Sequence, residues 1–280
     1  MPANLYALGA IALWVSLASL GVLLKHIPPF LLTGISLLMG SLLALPFVLR
    51  DRQQWRIPGK TLALGVYGLF GYHFLLFIAL RLAPPVEANL VNYLWPLFMV
   101  VLAPIFLASV KLRALHVVAA LLGFAGAAIA ILGAGQDSAG SGGWSWGFVP
   151  ALASAFIWAS YSLLTQRVKP FPTTAIGLFG VVSGLLALLC HWALEPKVAL
   201  SGHDWLLLAV MGLGPLGASF FLWDKALKNG DARQIGILSY ITPLGSTALL
   251  MLVSGRALTW SIGLAAVMII GAAVLGTRTK

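Results

Sequence analysis

Residues 87–109 read EANLVNYLWPLFMVVLAPIFLAS, an apolar run whose one charged side chain, Glu87, stands at its start. About 20 predominantly apolar residues suffice for a helix to cross the hydrocarbon core of a bilayer, so the run predicts a membrane-spanning helix. Nine further runs of this kind fill the rest of the chain, near residues 4–24, 30–49, 61–80, 114–134, 146–166, 173–194, 205–227, 233–253 and 258–276. The sequence therefore predicts an all-α membrane protein with ten transmembrane helices.

The overall composition agrees with lipid as the main solvent of this chain. Of its 280 residues, 60% are hydrophobic and 9% are charged, and the mean hydropathy is +0.99. A soluble globule of this size needs more polar surface, and the short connections leave no room for a soluble domain. The first run is preceded by no Lys or Arg and contains no small-residue cleavage site. We therefore expect a retained helix rather than a removed signal peptide.

The distribution of Lys and Arg predicts the orientation. Assigning the connections to alternate sides of the membrane places thirteen basic residues on one side and four on the other. Cytoplasmic connections carry the excess of basic residues, so both termini and the 50–60 connection are expected in the cytoplasm of a bacterium, with the helices in its inner membrane. Because these basic residues occur singly or in pairs in connections, the net charge of +10 does not indicate nucleic-acid binding.

A weak internal repeat divides the chain into two halves. At an offset of 144, Trp14 aligns with Trp158 and Pro28 with Pro172; after a slip of three residues, Tyr93 aligns with Tyr240 and Pro96 with Pro243. Each half would hold five helices, and an odd number makes the second half inverted in topology. We expect a first repeat at 1–135, a linker at 136–145 and a second repeat at 146–280, arranged around a central cavity. Secondary transporters commonly have this architecture.

Polar stripes mark three of the predicted helices. Asn89, Asn92, Tyr93 and Pro96 share one helix face by their spacing, as do Trp158, Tyr161 and Thr165, and as do Ser239, Thr242 and Ser246 beside Tyr240 and Pro243. Polar groups in hydrocarbon need partners, so these faces are expected to point inward. Spacing alone leaves open whether they bind one another or a substrate. The two prolines occupy equivalent places and act either as hinges or in packing.

The tryptophans fall into two groups. Six lie at or beyond helix ends, where indole rings belong to the interfacial belt: Trp55, Trp144, Trp146, Trp192, Trp205 and Trp260. Trp14, Trp95 and Trp158 lie in mid-helix, where they either pack between helices or line a wet cavity. Trp223 lies nearer a helix end, and its position fits both groups.

Charged and titratable residues narrow the possible functions. No Lys or Arg lies mid-helix, which disfavours strongly anionic substrates, and the acidic residues, Asp224 among them, lie near helix ends or in connections. Facilitated diffusion is therefore the simpler mechanism. His73 is the only histidine well inside a predicted helix, and both a hydrogen bond and proton coupling remain open for it. Apart from Cys190 there is no cysteine, and no spaced metal ligands or protease motifs occur, so we expect neither a cofactor, nor a metal, nor an enzyme.

Three motifs carry a family resemblance: VNYLWP at 91–96, AFIWASY at 155–161 and SYITP at 239–243. They resemble EamA-type carriers of the drug/metabolite transporter superfamily, and within it the YddG-type aromatic amino acid exporters. The resemblance implies export of aromatic or other neutral amino acids by a monomer; lipophilic drugs or other metabolites are the alternative cargo, and a non-transporting scaffold is the remaining one. Family members can carry a carboxylate where His73 stands. The positions that the resemblance places at the cavity are Tyr72, His73, Asn92, Tyr93, Trp95, Trp158, Tyr161, Trp223 and Tyr240.

Overall fold

The computed structural model describes residues 3–107, 110–134, 145–253, 255 and 259–278. Across these residues the chain is helical and contains no β-strand. Of the predicted linker 136–145 only Ser145 is described, and Trp144, Arg256 and Lys280 also lie outside the described residues. The prediction of an all-α chain is confirmed for the part that the structure describes.

Ten helical segments follow one another in the described ranges: α1 (Ala3–Leu23), α2 (Pro29–Arg50), α3 (Gly59–Leu82), α4 (Pro85–Phe106), α5 (Ala114–Ala134), α6 (Phe148–Leu164), α7 (Ala175–Leu194), α8 (Gly202–Asn229), α9 (Ala232–Val253) and α10 (Trp260–Arg278). Eight of them are long and apolar enough to cross a membrane, whereas the apolar helices α6 and α10 are shorter. Large apolar side chains are exposed on the outside, among them Leu49 at 72% and Val267 at 70%. Such side chains suit contact with lipid.

Several segments are interrupted, and the interruptions recur in the two halves of the chain. A π-helical turn occupies Tyr67–Gly71 in α3, and another occupies Gly214–Ala218 in α8. In α4 the α-helix stops after Asn92 and resumes at Trp95, and in α9 it stops after Leu238 and resumes at Ile241. Proline lacks the N–H that would bond to the carbonyl four residues earlier, so Pro96 and Pro243 account for the last two breaks.

Close contacts between glycines hold the segments around the centre. α2 packs along α7 and also against α8, and α5 packs along α10. A Cβ atom added at Gly40 would lie 2.6 Å from the carbonyl oxygen of Gly212 and 2.7 Å from the Cα of Gly217. The backbones of α2 and α8 therefore approach as closely as helices do at small-residue interfaces in membranes. This contact fixes the π-helical turn of α8 beside the central cavity.

Candidate functional site

A cavity of about 390 Å³ lies at the centre of the bundle, where α1, α3, α4, α6, α8 and α9 meet. Its volume is in the range of small-molecule sites, roughly 300–1,000 Å³. The lining residues nearest the middle of the segments are buried, including Trp14 and Trp158, whereas Leu80 and Asn89 lie near segment ends and are partly exposed. We call the end of the bundle at Leu80 and Asn89 the open end.

Four rings form the inner wall of the cavity, which we call the aromatic floor: Trp14, Trp95, Trp158 and Phe220. The ring of Trp158 lies 6.0 Å from Trp14, 6.4 Å from Trp95 and 5.6 Å from Phe220 between centroids. The indole N–H of Trp14 donates to the carbonyl of Pro215 at 3.1 Å, inside the π-helical turn of α8. The floor thus presents an apolar surface suited to stacking against a flat ring.

One buried amide joins three segments at the cavity wall. The side chain of Asn92 donates to the hydroxyl of Tyr72 at 3.1 Å and accepts from the hydroxyl of Ser154 at 2.9 Å. This network fixes α3, α4 and α6 to one another. The Tyr72 hydroxyl accepts from Asn92, so its own proton remains available to a molecule in the cavity.

Further polar groups of the wall have no partner among the described residues. These are the hydroxyls of Tyr93 and Thr242 and the side-chain amide of Asn89, with the Thr242 hydroxyl buried. His73 contacts the carbonyl of Leu69 through Nδ1 at 2.6 Å. A carbonyl only accepts, so Nδ1 carries the proton and a neutral His73 keeps Nε2 as an acceptor. Uncharged donors and acceptors therefore surround the cavity.

The structure brings six of the nine predicted cavity residues together at the cavity wall: Tyr72, His73, Asn92, Tyr93, Trp95 and Trp158. It places the other three outside the lining. Trp223 lies behind the aromatic floor, 5.1 Å from Trp14, and donates to the hydroxyl of Ser162 at 3.1 Å. Tyr161 packs on Gly68, and Tyr240 on Gly123.

Sequence reasoning missed Phe220 and the aliphatic part of the wall, Leu17, Leu76, Leu80 and Leu216. Such residues are indistinguishable by type from those that face lipid, because both surroundings are apolar. The internal repeat could have identified Phe220, because at the offset of 147 residues it aligns with His73, a predicted cavity residue. The equivalent positions of the two halves thus meet across one cavity, and their rings lie 6.3 Å apart.

The opposite end of the bundle, which we call the closed end, consists of residues 165–174 and 227–231. There Gln166 donates to the carbonyl of Leu227 at 2.6 Å, and Thr173 donates to the carboxylate of Asp224 at 2.6 Å. Lys228 forms an ion pair with Asp224 at 2.6 Å. The connection between α6 and α7 is therefore bonded to the end of α8, below the aromatic floor.

A second ion pair lies at the open end. The carboxylate of Glu195 accepts from the backbone N–H groups of Phe30 and Leu31 at the start of α2, at 3.0 and 3.2 Å. It also contacts Arg81 at 2.8 Å and His191 at 3.0 Å. We call Glu195 with these four partners the open-end network. It joins the ends of α3 and α7 to the beginning of α2.

The cavity lining contains no Asp, Glu, Lys or Arg among the described residues. Within the same described ranges no group of three His, Cys, Asp or Glu side chains is placed to hold a metal ion. The cavity is thus built to receive a molecule with a flat apolar part and neutral polar contacts.

Comparisons with known proteins agree with this geometry. The EamA-like transporter family model matches residues 1–132 and 145–278. The aromatic amino acid exporter YddG of Ancylobacter novellus is 39% identical over 98% of this chain and 96% of its own. A probable amino-acid metabolite efflux pump of Salmonella typhimurium is 27% identical over 90% of this chain and 87% of its own. One solved crystal structure, 37% identical, superposes with a TM-score of 0.89 over 99% of this chain and 97% of the other.

Proposed function

Because the chain belongs to the EamA-like transporter family, we propose that it exports aromatic or other neutral amino acids by alternating access. It is a multi-pass membrane transporter rather than an enzyme. The observation that carries the proposal is the cavity itself, with an aromatic floor, unpartnered neutral polar groups and no formal charge in its described lining. Two relatives that are named aromatic amino acid exporters match this chain over nearly their whole length. They support the same substrate class.

The architecture we propose is ten membrane-crossing helices in two inverted halves, 1–135 and 146–280, joined by 136–145. The repeated interruptions support it, since the π-helical turns of α3 and α8 lie 147 residues apart and the breaks of α4 and α9 lie 146 residues apart. The excess of basic residues supports an orientation with the closed end and both termini in the bacterial cytoplasm. The open cavity then faces away from the cytoplasm, and the protein works as a monomer.

The proposed mechanism is facilitated diffusion down the substrate gradient, without an obligatory proton. Neither Asp nor Glu lines the described part of the cavity, and the imidazole there is that of His73. The nitrogen Nδ1 of His73 is already used by the Leu69 carbonyl. An exporter that relieves the accumulation of a metabolite needs only the gradient of its substrate.

Transport by the purified protein in proteoliposomes tests this function. We expect counterflow of labelled phenylalanine, tyrosine and tryptophan, with no accumulation against the gradient when a proton gradient is imposed. Trp158→Ala removes a stacking surface worth about 0.5–1.5 kcal/mol beyond its buried area, so the rate should fall several-fold. Trp260→Ala is the matched control, because Trp260 is 79% exposed.

Three results would each contradict part of the proposal. Equal losses from the two tryptophan variants would mean that Trp158 serves packing. Transport of lipophilic dyes in place of amino acids would favour drug efflux. Uphill accumulation driven by a proton gradient would rule out facilitated diffusion.

A further inference from the structure

Four residues form what we call the closed-end network: Phe171, Thr173, Asp224 and Lys228. One carboxylate oxygen of Asp224, Oδ2, accepts from Thr173 at 2.6 Å and from Lys228 at 2.6 Å. Lys228 also donates to the carbonyl of Phe171 at 2.8 Å, and its ammonium lies 3.8 Å from the centre of the Phe171 ring. The contacts with Thr173 and Phe171 join α8 to the connection that leads into α7, and the bond between Lys228 and Asp224 lies within α8.

This network lies at the closed end, beyond the aromatic floor of the cavity. Phe220 of the aromatic floor, Asp224 and Lys228 are four residues apart and so share one face of α8. Trp223, with its ring 5.6 Å from that of Trp95, separates the floor from the network. A molecule that reaches the cavity from the closed end must therefore pass the network after its bonds have opened.

The hydrogen-bonding capacity of the network is incomplete. Asp224 is 2% exposed, and its second carboxylate oxygen, Oδ1, has no hydrogen-bond partner among the described residues. Lys228 uses two of the three donors of its ammonium group. One acceptor of the buried carboxylate is thus unused, and the third N–H of the neighbouring ammonium makes no hydrogen bond to the described residues.

We propose that Asp224 and Lys228 together recognise the backbone of a zwitterionic amino acid that enters from the closed end; this inference rests on the proposed function. The ammonium of the substrate would bind the Asp224 carboxylate, and its carboxylate would bind the Lys228 ammonium. Opening the network separates the buried Asp224 carboxylate from a partly exposed ammonium, which is unfavourable unless other charged groups replace the lost contacts. A zwitterion supplies both replacements in one molecule.

Because this pair binds both charged groups of the substrate, the protein discriminates against singly charged analogues at the closed end. The described lining of the cavity offers no formal charge, so the floor would accept a phenyl ring whatever charge is attached to it. An amine without a carboxylate leaves Lys228 unpaired, and a carboxylate without an amine leaves Asp224 unpaired. Both analogues should therefore fail at the entry step.

The test compares three substrates in proteoliposomes that contain the full chain, with leakage into protein-free liposomes subtracted. The substrates are labelled phenylalanine, phenethylamine and 3-phenylpropionate. The wild-type protein should prefer phenylalanine over each analogue by at least about tenfold, the factor expected from one charge-assisted hydrogen bond. In Asp224→Asn the preference over 3-phenylpropionate should fall to about twofold or less, and in Lys228→Met the preference over phenethylamine should fall likewise, because the charge that each analogue leaves unpaired is gone.

Two further variants serve as controls. Lys225→Met removes an exposed ammonium that lies 5.6 Å from the centre of the Tyr6 ring and should leave the preference unchanged. Lys228→Arg keeps the charge and should therefore retain most of the preference that Lys228→Met loses. A role in packing alone does not predict this difference. If Asp224→Asn does not fold, Lys228→Met and Lys228→Arg decide the question.

The outcomes separate the two proposals. If the wild-type protein carries phenylalanine but the variants slow all three substrates equally, the network serves only to close the bundle and this inference is wrong. An unchanged preference in folded variants overturns it as well. If the wild-type protein carries no aromatic or neutral amino acid, the proposed function fails, and the inference fails with it.

Discussion

The two ends of the molecule both bury a carboxylate beside a basic side chain, but they satisfy that carboxylate differently. At the open end, both oxygens of Glu195 are occupied by Phe30, Leu31, Arg81 and His191, which come from three helical segments. At the closed end, the bonds to Asp224 all reach one oxygen, and its ion-pair partner Lys228 lies on the same helix. The first arrangement is complete, and the second is not.

The difference is informative because the basic residues occupy related positions. Arg81 and Lys228 lie 147 residues apart, and each stands over a phenylalanine ring, Phe30 at 5.6 Å and Phe171 at 3.8 Å. A carboxylate with every lone pair used is best suited to holding segments together permanently. A carboxylate with an unused oxygen is better suited to exchanging partners. We therefore expect the open-end network to contribute to stability and the closed-end network to contribute to transport.

The largest effect is expected from Glu195→Ala, which leaves Arg81 and two backbone N–H groups of α2 without their acceptor. Arg81 is 43% exposed and can be hydrated, so the loss in the free energy of unfolding comes mainly from the two backbone N–H groups, at about 1–3 kcal/mol each. Thermal unfolding of the purified protein in detergent measures this loss. Asp51→Ala is the control, because Asp51 is exposed and bonds only to its neighbours Gln53 and Gln54. If both variants lower the melting temperature equally, the open-end network contributes no more to stability than an exposed acid, and the proposed distinction between the two ends is wrong.

An intermediate effect is expected from Thr173→Val, which removes one of the bonds to Asp224. Losing a hydrogen bond to a charged group weakens the closed end by about 1.5–3 kcal/mol, so this end should open more often. Labelling of Ser162→Cys by a soluble maleimide, in a Cys190→Ser background, should then become several-fold faster. Thr174→Val is the matched control, since the Thr174 hydroxyl bonds to Gln54 instead. Equal labelling rates in the two variants would mean that this hydroxyl does not keep the end closed.

The smallest effect is expected from Asp231→Asn, an acid of the closed end outside the network. Burial raises the pKa of Asp231, but the hydrogen bonds and charge of Arg233 outweigh it, so the pKa lies below its ordinary value. The stabilisation is therefore complete above about pH 4 and is lost only as the pH falls through the lowered value. The variant should lose roughly 1 kcal/mol or less, equally from about pH 5 to pH 8. A loss of stability that varies between pH 5 and pH 8 would show that a group other than Asp231 controls the stability of the beginning of α9.

Much of the fold follows from the sequence, because lipid imposes one strong requirement on each segment. Each of the ten apolar ranges contains a helical segment whose ends lie within three residues of the predicted bounds. Pro96 and Pro243 also indicated where α4 and α9 are interrupted. The π-helical turns carry no such signal, since Gly68 and Gly217 are equally compatible with an uninterrupted helix in close contact with a neighbour.

The candidate site was less predictable, because spacing identifies a helix face but not what lies opposite. The stripe of α4 grouped Asn89, Asn92 and Tyr93, which all line the cavity, whereas the bonds of Asn92 to α3 and α6 depend on tertiary contacts. Asp224 was expected near a helix end, and it does lie in the last turns of α8. Its burial was not foreseen, since only the position of the connection before α7 brings Thr173 over its carboxylate.

The π-helical turn of α3 bears on how related sequences should be aligned. Gly65 and Gly68 contact Phe179 and Tyr161, while Tyr72, beyond the turn, faces the cavity. Each residue advances an α-helix by about 100°, and a π-helical turn holds an extra residue, so the two parts of α3 differ in phase. A relative that lacks this extra residue would present a different side chain to its cavity. An alignment without a gap would conceal this change, because it would still show the same residue at position 72. A single-residue gap within 67–71 is therefore a better indicator of altered specificity than a substitution nearby.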